Sequence, residues 1–193
     1  ETGVRVNPII CINREISSEE SKKIIKSALK FQGRGIVGVD LACYEPGNPP
    51  EKHKKAIEMT FDSSLKRTFH VGEMCGEEEN LRNIETVLNN FRPHGISHAV
   101  DLWRRNDLID KLVENKIRLE SNPISNYNFF INKLEDLHLD ELMKKSVLIT
   151  INPDDPMMWP NGEMVHNLYQ MGKIYGNEFV EKALENAKET AWN

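Results

Sequence analysis

The chain has 193 residues, 39% of them hydrophobic and 28% charged, which is enough apolar material for a folded core of one domain. Its formal net charge of −5 argues against a general nucleic-acid or membrane-surface binder, which would carry a basic excess. No apolar run approaches the ~20 residues that span a bilayer, and Glu1-Thr-Gly-Val-Arg5 has no signal-peptide pattern. The widely spaced Cys11, Cys43 and Cys75 fit reduced thiols in a cytoplasmic protein better than a disulfide scaffold.

Short apolar runs alternate with helical patterns along the chain. Residues 9–12 are the first predicted strand. Ser17 and Glu20 have capping-box spacing and open a helix that buries Ile24, Ile25, Ala28 and Leu29 and ends before Gly33. Residues 35–41 form the second strand. Pro49-Pro50 introduces a helix with the apolar stripe Ile57, Phe61 and Leu65, and the run Lys52-His-Lys-Lys55 reads as its solvated face. Residues 67–71 are the third strand, Glu77–Asn90 a helix, 96–99 the fourth strand, 106–115 a helix and 117–119 the fifth strand. Residues 121–133 have weak periodicity and read as a long loop. Residues 147–151 are the sixth strand, and 176–192 carry the last helix.

The strands are short and rich in Ile and Val, with few alternating polar residues, as in strands buried on both faces. Their alternation with helices implies βαβ units and a parallel sheet. No low-complexity linker divides the chain, so residues 1–193 read as a single domain. A closed (β/α)8 barrel typically needs about 250 residues. Six strands therefore mean either an open α/β sheet or the C-terminal part of a TIM-type (β/α)8 barrel whose first two βα units are absent.

Three strands deliver chemistry at their C-terminal ends, where a parallel barrel gathers its active site. His70 ends the third strand, Gly72 allows a turn, and Glu73 can return as a general acid/base beside a metal. Taken alone, His70-Val-Gly-Glu73 reads more readily as a loop with a helix-capping Glu. Asp154-Asp155-Pro156 follows the sixth strand. Asp155-Pro156 suits a helix start, but that leaves Asp154 unexplained, and neighbouring carboxylates repel unless a cation or donors intervene. His98 sits in an apolar strand, where a histidine is commonly a satisfied core residue. His53, His94, His138 and His166 read as loop or helix-surface residues.

Together these segments resemble the adenosine deaminase family of metal-dependent amidohydrolases. The family's His-Ala-Gly-Glu, Ile-Gly-His-Gly and Asn-Thr-Asp-Asp-Pro elements appear in order as His70-Val-Gly-Glu73, Ile96-Ser-His-Ala99 and Asn152-Pro-Asp-Asp-Pro156. Gly38-Val-Asp-Leu-Ala-Cys-Tyr-Glu45 looks like its Asp-Leu-Ala-Gly-x-Glu segment, and Leu119-Glu-Ser-Asn-Pro-Ile-Ser-Asn126 like its Glu-x-Cys-Pro-x-Ser-Asn segment. Residues 4–15 are similar to its third strand, which ends in Arg. The resemblance implies a zinc-dependent deamination of adenosine to inosine. His70 and Asp154 would be zinc ligands, Glu73 the proton shuttle, His98 the group that orients the attacking hydroxide, and Asp155 a hydrogen-bond partner of that water and of the substrate. A small-molecule aminopurine nucleoside is the expected partner.

Cys43 replaces the family glycine that lets the backbone approach the purine, so it would border the substrate and leaves adenine or a modified adenosine nucleotide as alternative substrates. Ser97, Ala99, Asn122 and Pro153 also depart from the pattern. No His-x-His occurs, whereas the family's first strand supplies two zinc ligands that way, and catalytic zinc normally has at least three protein ligands. These residues alone are therefore expected to hold zinc poorly and to be inactive. A non-catalytic relative is the reading from a different class. An open barrel edge would invite self-association or a complementing N-terminal segment.

Overall fold

The computed structural model describes residue 3 and residues 6–192, so positions 4 and 5 of the segment likened to a third barrel strand lie outside the described residues. The strands are β1 (Ile9–Asn13), β2 (Gly38–Ala42), β3 (Lys66–Arg67), β4 (His70–Val71), β5 (Gly95–His98), β6 (Arg118–Ser121) and β7 (Leu148–Ile151). Every ladder is parallel. β3 and β4 are two halves of one strand, because hydrogen bonds cross the break: Thr68 N donates to Val39 O at 3.0 Å and Ser97 N to Phe69 O at 2.8 Å.

Spatial neighbours thus follow chain order from β1 to β7 without reversal. That is the order of a barrel, not of a doubly wound sheet with its switch point. The fold is an incomplete TIM-type barrel, and among the described residues it stays open between β1 and β7. β7 is not left bare there. Asn186, buried on the last helix, donates its Nδ2 to Ile149 O at 3.0 Å, on the side of β7 away from β6.

The strands do alternate, contrary to the expectation of two apolar faces. Val39, Phe69, Ile96, Leu119 and Ile149 point into the hydrophobic cluster shared with the helices. Asp40, Thr68, His70, Ser97, Glu120 and Thr150 point the other way and line a cavity of about 450 Å³. That inner face tolerates polar groups because they satisfy one another. Arg118 Nε donates to Glu120 Oε1 at 2.6 Å, and Thr68 Oγ1 to Glu120 Oε2 at 2.7 Å.

The helices are α1 (Ser18–Lys30), α2 (Lys54–Glu58), α3 (Glu77–Asn90), α4 (Asn106–Glu114), α5 (Pro123–Phe129), α6 (Leu139–Lys144), α7 (Met164–Tyr175) and α8 (Asn177–Thr190). The capping box before α1 forms as its spacing implies: Glu20 N donates to Ser17 Oγ at 3.2 Å and Ser17 N to Glu20 Oε2 at 3.0 Å. The expected helix through Leu65 ends at Glu58. Thr60 Oγ1 donates to Ile57 O and Ser63 Oγ to Thr60 O, each at 2.7 Å, and such local bonds compete with helix continuation. α5 lies inside the segment expected to be a loop, with Pro123 at its first turn. Among the described residues no helix is long and apolar enough to cross a membrane. Ser17→Ala is expected to lower the unfolding free energy by about 1 kcal/mol, measured by urea denaturation; an unchanged midpoint would show that the box is not holding this helix end.

Candidate active site

The segment after β4 turns inward because Gly72 adopts φ +69°, where an L side chain is strained, and because a Cβ there would sit 2.6 Å from Ile84 Cδ1. That turn lets His70 and Glu73 approach one volume from successive backbone positions. On the neighbouring strand, His98 and Ala99 both hold left-handed conformations, φ +66° and +46°, without being glycine. Asp154 does the same at φ +56° beyond β7. Strain of this kind persists where surrounding structure over-determines it, commonly at functional sites.

These turns bring His70, His98 and Asp154 together, with one candidate ligand atom from each lying within 4.8 Å of the others. Glu73 borders the group: its Oε2 is 3.5 Å from His98 Nε2, and Asp154 Oδ2 is 3.8 Å from the same nitrogen. His70 is turned by Asp40. Its Nδ1 lies 2.8 Å from Asp40 Oδ2, close in distance though short of hydrogen-bond alignment, and its backbone N donates to Asp40 Oδ1 at 3.3 Å. A carboxylate behind one ring nitrogen directs the other toward a metal.

His98 is fully enclosed and flanked by two amides. Asn122 Nδ2 lies 3.1 Å from its Nε2 and Asn126 Nδ2 lies 3.2 Å from its Nδ1. A neutral imidazole carries one N–H, so one amide must present its oxygen. Asn126 Oδ1 is buried and has no partner, and a half-turn of that amide places it against Nδ1–H. Nε2 then stays unprotonated, its lone pair accepting from Asn122 Nδ2, with Glu73 and Asp154 nearby. Burial, reinforced by the charge of His70, holds His98 well below the usual imidazole range, which keeps it neutral.

Burial also pushes the Glu73 carboxyl up to about 7; the His70 charge opposes this, while Asp154 and Glu45 add to it. For His70, burial works against protonation, but the charge and contact of Asp40 outweigh it and raise the ring to about 9. The site therefore gathers the acceptors His98 Nε2, Glu73 and Asp154 against one protonated ring, His70, whose proton a cation would displace. That donor set fits a divalent cation, with imidazole and carboxylate ligands suited to zinc.

Of the other expected site residues, Asp155 is exposed and stays outside the cluster. Its neighbour Pro156 opens a turn rather than the helix that Asp-Pro suggested, with Met158 N donating to Asp155 O at 2.9 Å. Cys43 is exposed at the end of β2 with φ +80°, a conformation that favours glycine. His53, expected at the surface, is fully buried between Ser21 Oγ at 2.6 Å and Arg14 O at 2.9 Å. The roles of Asp40, Asn122 and Asn126 were missed by sequence reasoning. Asp40 stands two residues before the end of a strand, and the two amides flank a short helix start; neither pattern by itself signals chemistry.

The strand order and this polar cluster at the strand ends define an incomplete (β/α) barrel with a candidate metal site at its rim. The chain belongs to the adenosine deaminase family, whose family model matches residues 1–192. It is 29% identical over 193 residues to an adenosine deaminase of Clostridium kluyveri, covering 98% of this chain and 54% of that protein. It is 31% identical over 155 residues to an adenine deaminase of Chlorobium phaeobacteroides, covering 80% and 45% respectively. The crystal structure of an adenine deaminase from Arthrobacter aurescens superposes with a TM-score of 0.83 at 23% identity, over 95% of this chain and 55% of that one. The chain thus spans about half the length of the curated relatives it matches.

The raised Glu73 carboxyl makes a stability prediction for the metal-free protein. The folded state holds a proton there that the unfolded state releases near pH 4.5, so folding stability falls as pH rises from about 4.5 through about 7. Glu73→Gln removes that dependence. The variant should gain on wild type across this window by on the order of 3 kcal/mol, read from denaturation curves at several pH values; a constant difference would contradict the assignment.

Proposed function

We propose that the chain forms part of a zinc-dependent aminohydrolase that removes the 6-amino group of adenosine as ammonia and leaves inosine. The observation that carries this reading is the convergence of His70, His98 and Asp154 with Glu73 beside them. A structural neighbour from Burkholderia ambifaria is described with bound Zn, and relatives are named adenosine deaminase, adenine deaminase and N6-methyl-AMP deaminase.

His70 and Asp154 would hold the metal, with Asp40 fixing the His70 ring. A bound zinc lowers the pKa of water toward ~7 and so supplies hydroxide at neutral pH. Glu73, protonated near pH 7, donates to the purine ring nitrogen as the water oxygen adds to the adjacent carbon. His98 Nε2, unprotonated, exchanges its bond from Asn122 Nδ2 for one from that water and fixes its direction of attack. Asp155 would reach the same water only by turning inward from its exposed position, and Cys43 would border the purine. Collapse breaks the bond from the ring carbon to the amino group: the proton of the added hydroxyl passes by way of His98 Nε2 to that group, which leaves as ammonia, while the proton given up by the water in forming hydroxide restores Glu73.

A second reading keeps the chemistry and changes the substrate to adenine or a modified adenosine nucleotide. It is favoured by the Cys43 side chain standing where the family motif has glycine, and two Arabidopsis neighbour structures are described with IMP and GMP. Ammonia release by the full-length gene product over adenosine, adenine and N6-methyl-AMP, with and without a chelator, tests both. Chelation should abolish turnover, and Glu73→Gln should lower kcat by about 10²- to 10⁴-fold. Chelator-resistant turnover, or none with any aminopurine, would overturn the proposal.

A further inference from the structure

One buried ion pair lies directly beneath the loop that carries both His70 and Glu73. Arg14, one residue past β1, and Glu45, three residues past β2, are each 1% exposed, with Arg14 Nη1 3.7 Å from Glu45 Oε1. Nearly everything the Glu45 carboxylate accepts comes from the catalytic loop and the helix behind it. Oε1 accepts from Gly72 N at 3.0 Å and Asn83 Nδ2 at 3.0 Å, and Oε2 accepts from Glu73 N at 3.0 Å. Arg14 reaches the other end of the same loop, donating through Nη2 to His70 O, and it is anchored by Leu41 O and Asn48 O at 3.4 Å each. The backbone of Arg14 is fixed in turn, because its carbonyl accepts from Lys52 Nζ at 3.0 Å and meets His53 Nε2 at 2.9 Å.

Stability alone is a poor explanation for this pair. A buried ion pair is often no better than well-packed apolar side chains of similar volume, because both charges lose their hydration. Here the cost is compounded, since Arg14 Nε is buried without a partner. What the arrangement provides is three hydrogen bonds to backbone groups within the four residues 70–73, His70 O, Gly72 N and Glu73 N, spanning the glycine turn.

We infer that Arg14 and Glu45 are positioning residues that fix the distance between the His70 imidazole and the Glu73 carboxyl, setting the acid/base group relative to the metal ligand. The inference rests on the aminohydrolase reading for its kinetic consequence, but the loop's rigidity can be measured without it. Neither residue touches the reacting atoms.

The test uses the full-length gene product with Glu45→Gln and, separately, Arg14→Lys. Lys retains the charge but lacks the planar fork that serves two acceptors at once. Both variants should lose kcat by about 10- to 100-fold, the range typical of groups that orient metal ligands, while KM stays within a factor of about three. In the metal-free protein, amide hydrogen exchange over residues 70–75 should accelerate selectively in Glu45→Gln, with β5 and β6 unchanged. Rescue by Lys, kcat within twofold of wild type, uniform acceleration of exchange, or failure of both variants to fold would each assign the pair to stability and overturn the inference. If wild type deaminates no aminopurine, the functional reading fails alone, and hydrogen exchange still decides the positioning role.

Discussion

A shortage of positive charge governs this molecule. His98 Nε2, Glu73 Oε2 and Asp154 Oδ2 lie within 4 Å of a common centre defined by that nitrogen, and all three are acceptors when His98 is neutral and the acids are ionised. A low-dielectric pocket cannot hold such a set without a proton, a cation or both. The raised Glu73 carboxyl and the raised His70 ring are one response to that constraint, and a divalent ion is the other. The left-handed turns at His98, Ala99 and Asp154 are the backbone's contribution, trading local strain for convergence.

The fold makes convergence possible by sorting its strand faces. Apolar side chains alternate outward into a continuous core with the helices, while polar ones face the cavity and pair among themselves. Because all strands are parallel and neighbours in space are neighbours in sequence, every strand ends at the same rim. Side chains separated by more than eighty residues, such as His70 and Asp154, meet there without any special long-range device. The opening between β1 and β7 is flanked by α8, whose Ala187 and Thr190 line the same cavity.

Much of this was legible in the residues. All six strand positions follow from short apolar runs, and α1, α3 and α4 from their periodicity and from the Ser17–Glu20 spacing. His70, Glu73, His98 and Asp154 could be placed at strand ends before any coordinates. What escaped was short or polar. α5 has seven residues, too few for a period to declare itself, and α7 buries only Asn167 and Met171. The polar inner face was obscured because strands of four or five residues show at most two or three members of an alternating set. His53 sits in a lysine-rich run that reads as solvated, yet its ring bonds place it in the interior. Asp40 and Asn126 act only through the histidines they touch, so their role requires the geometry itself.

The account stands on a single ion at the strand ends, and anomalous diffraction at the zinc edge from crystals of the full-length gene product addresses that directly. One peak at about 2.0–2.2 Å from both a His70 nitrogen and an Asp154 oxygen is the expected result. A peak elsewhere, with His70 and Asp154 coordinating nothing in common, would contradict it.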